Sequence, residues 1–109
     1  MTEEKIYRVI AGEMGITPGQ VERTARLLDE GNTIPFLARY RKEVTGNLDE
    51  EQLRLLDQRL NYLRNLSRRQ EEVVRLIEEQ GKLTPELEKE IRAATVLQEV
   101  EDLYLPFRP

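Results

Sequence analysis

The chain contains no cysteine, no histidine and no tryptophan, and its single serine is Ser67. The lack of cysteine excludes a disulfide framework and a thiolate metal site. The lack of histidine, with the serine in the middle of a predicted helix, leaves no nucleophile–base pair. The many carboxylates lie among other charged residues rather than in an apolar setting that would raise a pKa. We therefore expect no enzyme activity, no cofactor and no metal site.

Long apolar runs are missing as well. No stretch approaches the roughly 20 apolar residues that a membrane-spanning helix requires. We also expect no signal peptide, because the chain starts with the charged Thr2-Glu-Glu-Lys5. We expect a cytoplasmic protein with no membrane contact, of a length that suits one domain or a piece of a longer protein.

Charge is abundant but unevenly distributed. Charged residues make up 35% of the chain and the formal net charge is −4. Residues 1–48 carry seven basic and seven acidic side chains, whereas acidic residues outnumber basic ones in residues 49–109. A nucleic-acid backbone would therefore be repelled least by residues 1–48.

Signals that begin and end helices recur along the chain. Thr17-Pro-Gly-Gln20 combines an N-cap threonine, a proline at the first helical position and a glutamine that completes a capping box. N-caps of later helices are predicted at Thr33, Asp49, Thr84 and Thr95. Apolar residues keep helical spacing and no strand pattern occurs, so the sequence predicts an all-α module. Its parts are a short helix-turn-helix-like hairpin and one long heptad-patterned helix packed by shorter helices.

The long helix is predicted over residues 49–80, a segment without proline or glycine. At 1.5 Å per residue it would be about 48 Å long. Its heptad seam consists of Leu53, Leu56, Leu60, Leu63, Ser67, Gln70, Val74 and Ile77. Ser67 and Gln70 form a polar gap that would weaken a free zipper. We therefore favour packing within the chain over dimerisation through the seam, and expect a monomer or a weak dimer.

Ion pairs one helical turn apart are predicted within this helix at Glu50–Arg54 and Glu71–Arg75. The residues after it are expected to form two short helices, followed by an extended apolar segment over residues 105–109. We divide the module into residues 1–46, the hairpin and a basic helix, and residues 47–109, the long helix and the short helices.

The hairpin has some features of a DNA-binding helix-turn-helix. Ala11, Gly15 and Val21 have the spacing of its small residue, turn glycine and buried aliphatic residue. Its second helix would then present Arg23 and Arg26, with Gln20, to a groove. The favoured alternative is a plain helical hairpin, because Thr24 occupies a position where a second aliphatic residue is usual.

A basic block follows, in which Arg39, Arg41 and Lys42 surround Tyr40. The three cations could contact phosphates while the ring stacks on an unpaired base. The favoured alternative places Tyr40 in the core and pairs the cations within the chain, Arg39 with Glu43. In a third interpretation the arginines lock their helix against the long helix or against later domains.

Three segments carry a resemblance to a known family. They are Gly31-Asn-Thr-Ile-Pro-Phe-Leu-Ala-Arg-Tyr-Arg-Lys-Glu-Val-Thr-Gly46, Glu79-Gln-Gly-Lys-Leu-Thr84 and Glu101-Asp-Leu-Tyr-Leu-Pro106. In this order and spacing they resemble the N-terminal region of the bacterial Tex family of transcription accessory proteins. The first segment is highly specific, and the other two gain their weight from the order.

The resemblance implies that the chain is the opening part of a larger multidomain protein. In that family a nuclease-like but non-catalytic domain, helix-hairpin-helix elements and an S1 RNA-binding domain follow. Nucleic-acid binding is mainly placed in the S1 domain. The expected role of this module is therefore architectural. The alternatives are direct weak binding of RNA or DNA, and an interaction module for RNA polymerase, transcription factors or later domains.

Overall fold

The computed structural model describes residues 1–109 and is all-α, as predicted. Its helices are α1 (Glu3–Met14), α2 (Pro18–Asp29), α3 (Ile34–Tyr40), α4 (Lys42–Thr45), α5 (Glu50–Glu79), α6 (Pro85–Ala93) and α7 (Leu97–Tyr104). A 3-10 helix over Leu105–Phe107 follows α7, where the sequence predicted that residues 105–109 would be extended. None of the helices combines the length and the apolar character needed to cross a bilayer.

The predicted capping boxes form. The Thr17 hydroxyl accepts from the main-chain nitrogen of Gln20 at 3.1 Å, and the Gln20 side chain accepts from that of Thr17 at 3.0 Å. Asp49 and Gln52 make the same reciprocal pair at 2.8 and 2.9 Å. Two more predicted caps use threonine hydroxyls, those of Thr33 and Thr84. Local sequence alone therefore places the starts of α2, α3, α5 and α6.

The cap predicted at Thr95 is wrong. Helix α7 begins after Val96, which makes no side-chain capping bond. Thr95 lies outside the helix, where its hydroxyl donates to the carboxylate of Glu99 at 3.0 Å. A hydrogen bond to a charged acceptor is stronger than one to a neutral group. The carboxylate of Glu99 therefore holds the threonine that was predicted to cap this helix.

The chain divides into two compact units, and α5 contributes to both. The first unit comprises residues 2–63. Its core is built from Ile6, Ile10, Val21, Ala25, Leu37, Leu48, Leu53, Leu56 and Leu60, all buried. Arg59 on α5 holds Glu13 of α1 through two bonds of 2.8 Å. The hydrogen bonds that Arg59 donates to Glu13 raise the pKa of Arg59.

The second unit comprises Met1 and residues 64–109. Arg69 on α5 binds Glu101 of α7 through two bonds of 2.7 and 2.9 Å, and its guanidinium carbon lies 5.3 Å from the ring centroid of Tyr104. The hydrogen bonds from Arg69 lower the pKa of Glu101. This cluster fastens α7 to α5, beside a core that includes Leu66, Val73, Ile77, Ile91 and Val100.

Helix α5 follows the predicted heptad pattern, and every apolar seam residue is buried. The predicted pair Glu50–Arg54 forms at 2.9 Å. The predicted pair Glu71–Arg75 does not form. Glu71 instead binds Arg92 of α6, and Arg75 pairs with Glu79 at 3.1 Å. Arg92, from a different helix, thus binds the Glu71 carboxylate that helical spacing had paired with Arg75 of the same helix.

Candidate nucleic-acid interface

The sequence predicted a single helix between Thr33 and Gly46. The structure instead has two helices, which meet at Arg41. Arg41 has φ −131° and ψ 31°, outside the helical region, and its carbonyl starts α4 by accepting from Val44 and Thr45 at 3.1 Å each. The break turns α4 onto α2 and buries Thr45 completely. The predicted basic helix therefore ends at Tyr40 and does not continue into α4.

The break leaves two aromatic rings of α3 at the surface. Leu37 is fully buried, but Phe36 is 36% and Tyr40 55% exposed. The two ring centroids lie 5.3 Å apart with the planes tilted by 49°. The interpretation that placed Tyr40 in the core is therefore wrong. The core of this unit needs only Leu37 from α3, and both rings remain accessible.

The three cations around these rings are free of ion pairs. Arg39 and Lys42 make no hydrogen bond or ion pair through their side chains. The expected Arg39–Glu43 pair is absent, because one-turn pairing requires a continuous helix and the helix breaks between them. The Arg41 side chain donates to the Tyr40 carbonyl at 2.9 Å, and its guanidinium carbon lies 5.3 Å from the Phe36 ring centroid.

We name Phe36, Arg39, Tyr40, Arg41 and Lys42 the aromatic–cation surface. Four of them line an open groove of about 640 Å³ together with Pro35, Ala38 and Glu50. The single carboxylate among the groove residues belongs to Glu50, which is already paired with Arg54. The groove therefore presents uncompensated positive charge beside exposed aromatic rings.

The cations of α2 are engaged elsewhere. Arg23 donates to the Val44 carbonyl at 2.9 Å, and Arg26 pairs with Glu22 at 2.7 Å. The Gln20 side chain donates to the carbonyls of Thr45 and Gly46 at 3.2 and 3.3 Å. Gln20 and Arg23 thus satisfy carbonyls at the C-terminal end of α4, where a helix lacks donors of its own. Neither Arg23 nor Arg26 lines the groove.

The polar gap in the seam of α5 has a function that sequence reasoning missed. Gln70 is 1% exposed, and its amide nitrogen donates to the carbonyls of Ile91 at 3.0 Å, Ala94 at 3.1 Å and Arg92 at 3.3 Å. One buried side chain therefore caps the C-terminal end of α6. The signal available in the sequence was a polar residue at a core position, which requires a partner.

Ser67, the other polar seam residue, is also used within its unit. Its hydroxyl accepts from the amino group of Met1 at 3.1 Å and donates to the Met1 carbonyl at 2.9 Å. The Ser67 hydroxyl and the Gln70 amide nitrogen thus both find partners within the chain.

Comparison with known proteins identifies relatives over the whole chain. Residues 4–78 match the family described as Tex-like protein N-terminal domain. The chain is 54% identical over its full length to Protein YhgF of Escherichia coli (strain K12), of which it covers 14%. It is 50% identical over 104 residues to the transcriptional accessory protein Tex of Neisseria gonorrhoeae, covering 95% of the chain and 14% of that protein.

A more distant relative is human. The chain is 32% identical over 103 residues to the S1 RNA-binding domain-containing protein 1 of Homo sapiens, covering 94% of the chain and 10% of that protein. The chain thus spans at most 14% of the length of these three relatives.

Proposed function

Because the chain belongs to the family of Tex-like protein N-terminal domains, we propose that it is an architectural module of a longer transcription accessory protein. In this role α5 is a spine whose apolar face is covered by shorter helices of the same chain. The module then offers its outer surface to the domains that follow. Its contribution is packing and positioning, without catalysis.

The burial of Gln70 carries this proposal. If the seam packed against a helix of a partner chain, its polar residue would be expected to contact that helix. A polar seam residue in a coiled coil specifies register and oligomeric state in this way. The amide nitrogen of Gln70 is instead bonded to the carbonyls that end α6. The apolar seam residues are covered too, with Leu63 at 3% and Val74 at 5% exposure. The seam therefore supports folding of the chain itself.

The names of the relatives support the wider setting. One is a transcriptional accessory protein, and the human one is named for an S1 RNA-binding domain. We propose that the longer protein binds RNA in the course of transcription, in the cytoplasm, chiefly through domains that this chain does not include. RNA polymerase or the later domains are the proposed protein partners of the module.

The test uses a longer Tex-like protein that carries this module. Limited proteolysis and thermal unfolding are compared between that protein, the same protein without the module, and its Leu63→Ala variant. Leu63 is buried on α5, so the substitution weakens the module without altering its surface. We expect the later domains to be cleaved faster and to melt lower in both altered proteins.

The matched control is Leu55→Ala, which removes the same atoms from a side chain that is 47% exposed. It should leave the later domains unchanged. If the later domains have the same protease resistance and the same melting temperature with and without the module, the architectural role is wrong.

A further inference from the structure

We propose that the aromatic–cation surface binds single-stranded nucleic acid, with Tyr40 stacking on a base and Arg39, Arg41 and Lys42 contacting phosphates. This binding site goes beyond the proposed architectural role, whose evidence is the packing inside the module. The inference rests on the exposure of the rings, the unpaired state of the cations and the place where the helix breaks.

The charges of this surface favour a polyanion. Arg39 and Lys42 have no ion pair, although the chain as a whole carries an excess of acidic residues. Most arginines of α5 and α6, by contrast, have carboxylate partners, as Arg59 and Arg92 do. Cations left free beside a groove whose one carboxylate is already paired create a local positive field. Phosphates bind to such a field and release their counterions.

The rings favour a ligand with flat faces. Tyr40 is 55% exposed, a large exposure for an aromatic side chain that lies one turn from the buried Leu37. Phe36 contacts the Arg41 guanidinium and Tyr40 and is the less exposed of the two rings, so Tyr40 is the ring more available for stacking. A base stacked on an aromatic side chain contributes to binding without regard to its identity.

Arg41 links the two kinds of contact. Its guanidinium is held by the Tyr40 carbonyl and by the Phe36 ring, so it is already ordered before a ligand arrives. Ordering a long side chain in advance reduces the entropy lost on binding. A phosphate at Arg41 would lie next to the base on Tyr40, as adjacent groups of one nucleotide do.

A single strand fits this surface better than a duplex does. Stacking on Tyr40 requires a base whose face is free, which a base pair inside a duplex does not offer. Duplex readout would need a helix free to enter a groove. On α2, the candidate for that role, Gln20 and Arg23 are bound to the carbonyls that end α4.

The experiment measures fluorescence anisotropy of a labelled 12-nucleotide oligo(U) and oligo(dT) titrated with the chain at low salt. We expect both to bind, and a duplex of the same length to bind at least about tenfold more weakly. Each neutralised phosphate of a single strand contributes about −0.7 to the slope of log affinity against log salt, so three contacts predict a slope of about −2.

Substitutions at two positions of the surface test the residues. Tyr40→Ala should weaken binding about tenfold while Tyr40→Phe retains it, because the ring face and not the hydroxyl makes the contact. Lys42→Glu should abolish measurable binding. Lys89→Glu is its matched control, since Lys89 is exposed and unpaired on α6 and the net charge changes equally. Circular dichroism confirms that each variant is folded.

Three outcomes would overturn the proposal. One is the absence of binding to either oligonucleotide at low salt. Another is an equal loss of affinity in Lys42→Glu and Lys89→Glu, which would show that binding depends on the net charge of the chain and not on this surface. The last is competition by poly-glutamate as strong as by unlabelled oligo(U), which would assign the surface to acidic polypeptides. The architectural role would survive all three, because it is measured on the later domains.

Discussion

The side-chain amide of Gln70, in the middle of α5, donates to the main-chain carbonyl of Ile91 at 3.0 Å and so caps the end of α6. The last carbonyls of a helix have no partner within it, and burial removes water as a substitute. The same nitrogen also reaches the carbonyls of Arg92 and Ala94. A residue that weakens the pattern of a free coiled coil thus completes the fold of this unit.

Gln70→Leu should therefore destabilise the chain, even though it makes the seam more apolar. Removing the donor leaves buried carbonyls unsatisfied, at a cost of about 1–3 kcal/mol. Urea unfolding followed by circular dichroism measures the loss. The control is Gln58→Leu, at an exposed position of the same helix. Equal stability of the two variants would show that the bonds from Gln70 contribute nothing.

Leu63→Ala should lower the free energy of unfolding by about 2–5 kcal/mol, the usual range for a leucine removed from a packed core. Leu63 is 3% exposed on the seam of α5. Leu55→Ala, on the exposed side of the same helix, should change it by less than about 0.5 kcal/mol. Thermal unfolding of both variants tests the assignment of the two faces, and a similar loss in both would contradict it.

Gly46→Ala should cost more than Gly81→Ala, although both glycines have φ 71°. An alanine in this left-handed region costs about 1–2 kcal/mol at either position. Nothing lies within 4 Å of a Cβ at Gly81, whereas a Cβ at Gly46 would lie 2.9 Å from Cδ of Gln20. The difference in unfolding free energy between the two variants measures this crowding. If Gly81→Ala proves the more damaging, the packing of Gln20 against the end of α4 is wrong.

Acidification should weaken the second unit through Glu101. Hydrogen bonds from Arg69 lower the pKa of this carboxyl in the folded chain. The stabilisation is therefore complete above the ordinary pKa of about 4.3 and is lost as the pH falls through the lower, folded value. Because the Glu101 side chain is 34% exposed, the effect is at most about 1 kcal/mol.

Urea unfolding from pH 7 to pH 3 measures this pH dependence. Glu101→Gln should flatten the curve below about pH 4.5, because glutamine does not titrate. Glu90→Gln is the control, since Glu90 is exposed on α6 and forms no ion pair. If Glu101→Gln leaves the pH dependence unchanged, the ion pair with Arg69 does not contribute to the free energy of unfolding.

Local chemistry made most of the fold predictable. The capping boxes at Thr17 and Asp49 each use groups three residues apart, so a linear pattern contains all the information they need. The heptad repeat of α5 is equally local, because helical geometry puts its members on one face. The sequence therefore sufficed for the all-α class, for the starts of four helices and for the family.

The candidate site was only half visible in this way. Its residue types could be read directly, and Arg39, Arg41 and Lys42 were named for phosphate contact from their order alone. The missing Arg39–Glu43 pair and the exposure of Tyr40 go with the break at Arg41, after which α4 packs on α2. No spacing rule within the segment predicts that break.

Tertiary structure also decided which polar groups meet. Glu71 binds Arg92 instead of Arg75, and Gln70 finds its carbonyls 21 to 24 residues away along the chain. Local periodicity determined which residues form helices and which face is apolar, because those properties follow from backbone geometry. The partner of each buried or charged group was decided by tertiary packing. Several groups nearby in the sequence could each pair with it, and only packing brings one of the candidates within bonding distance.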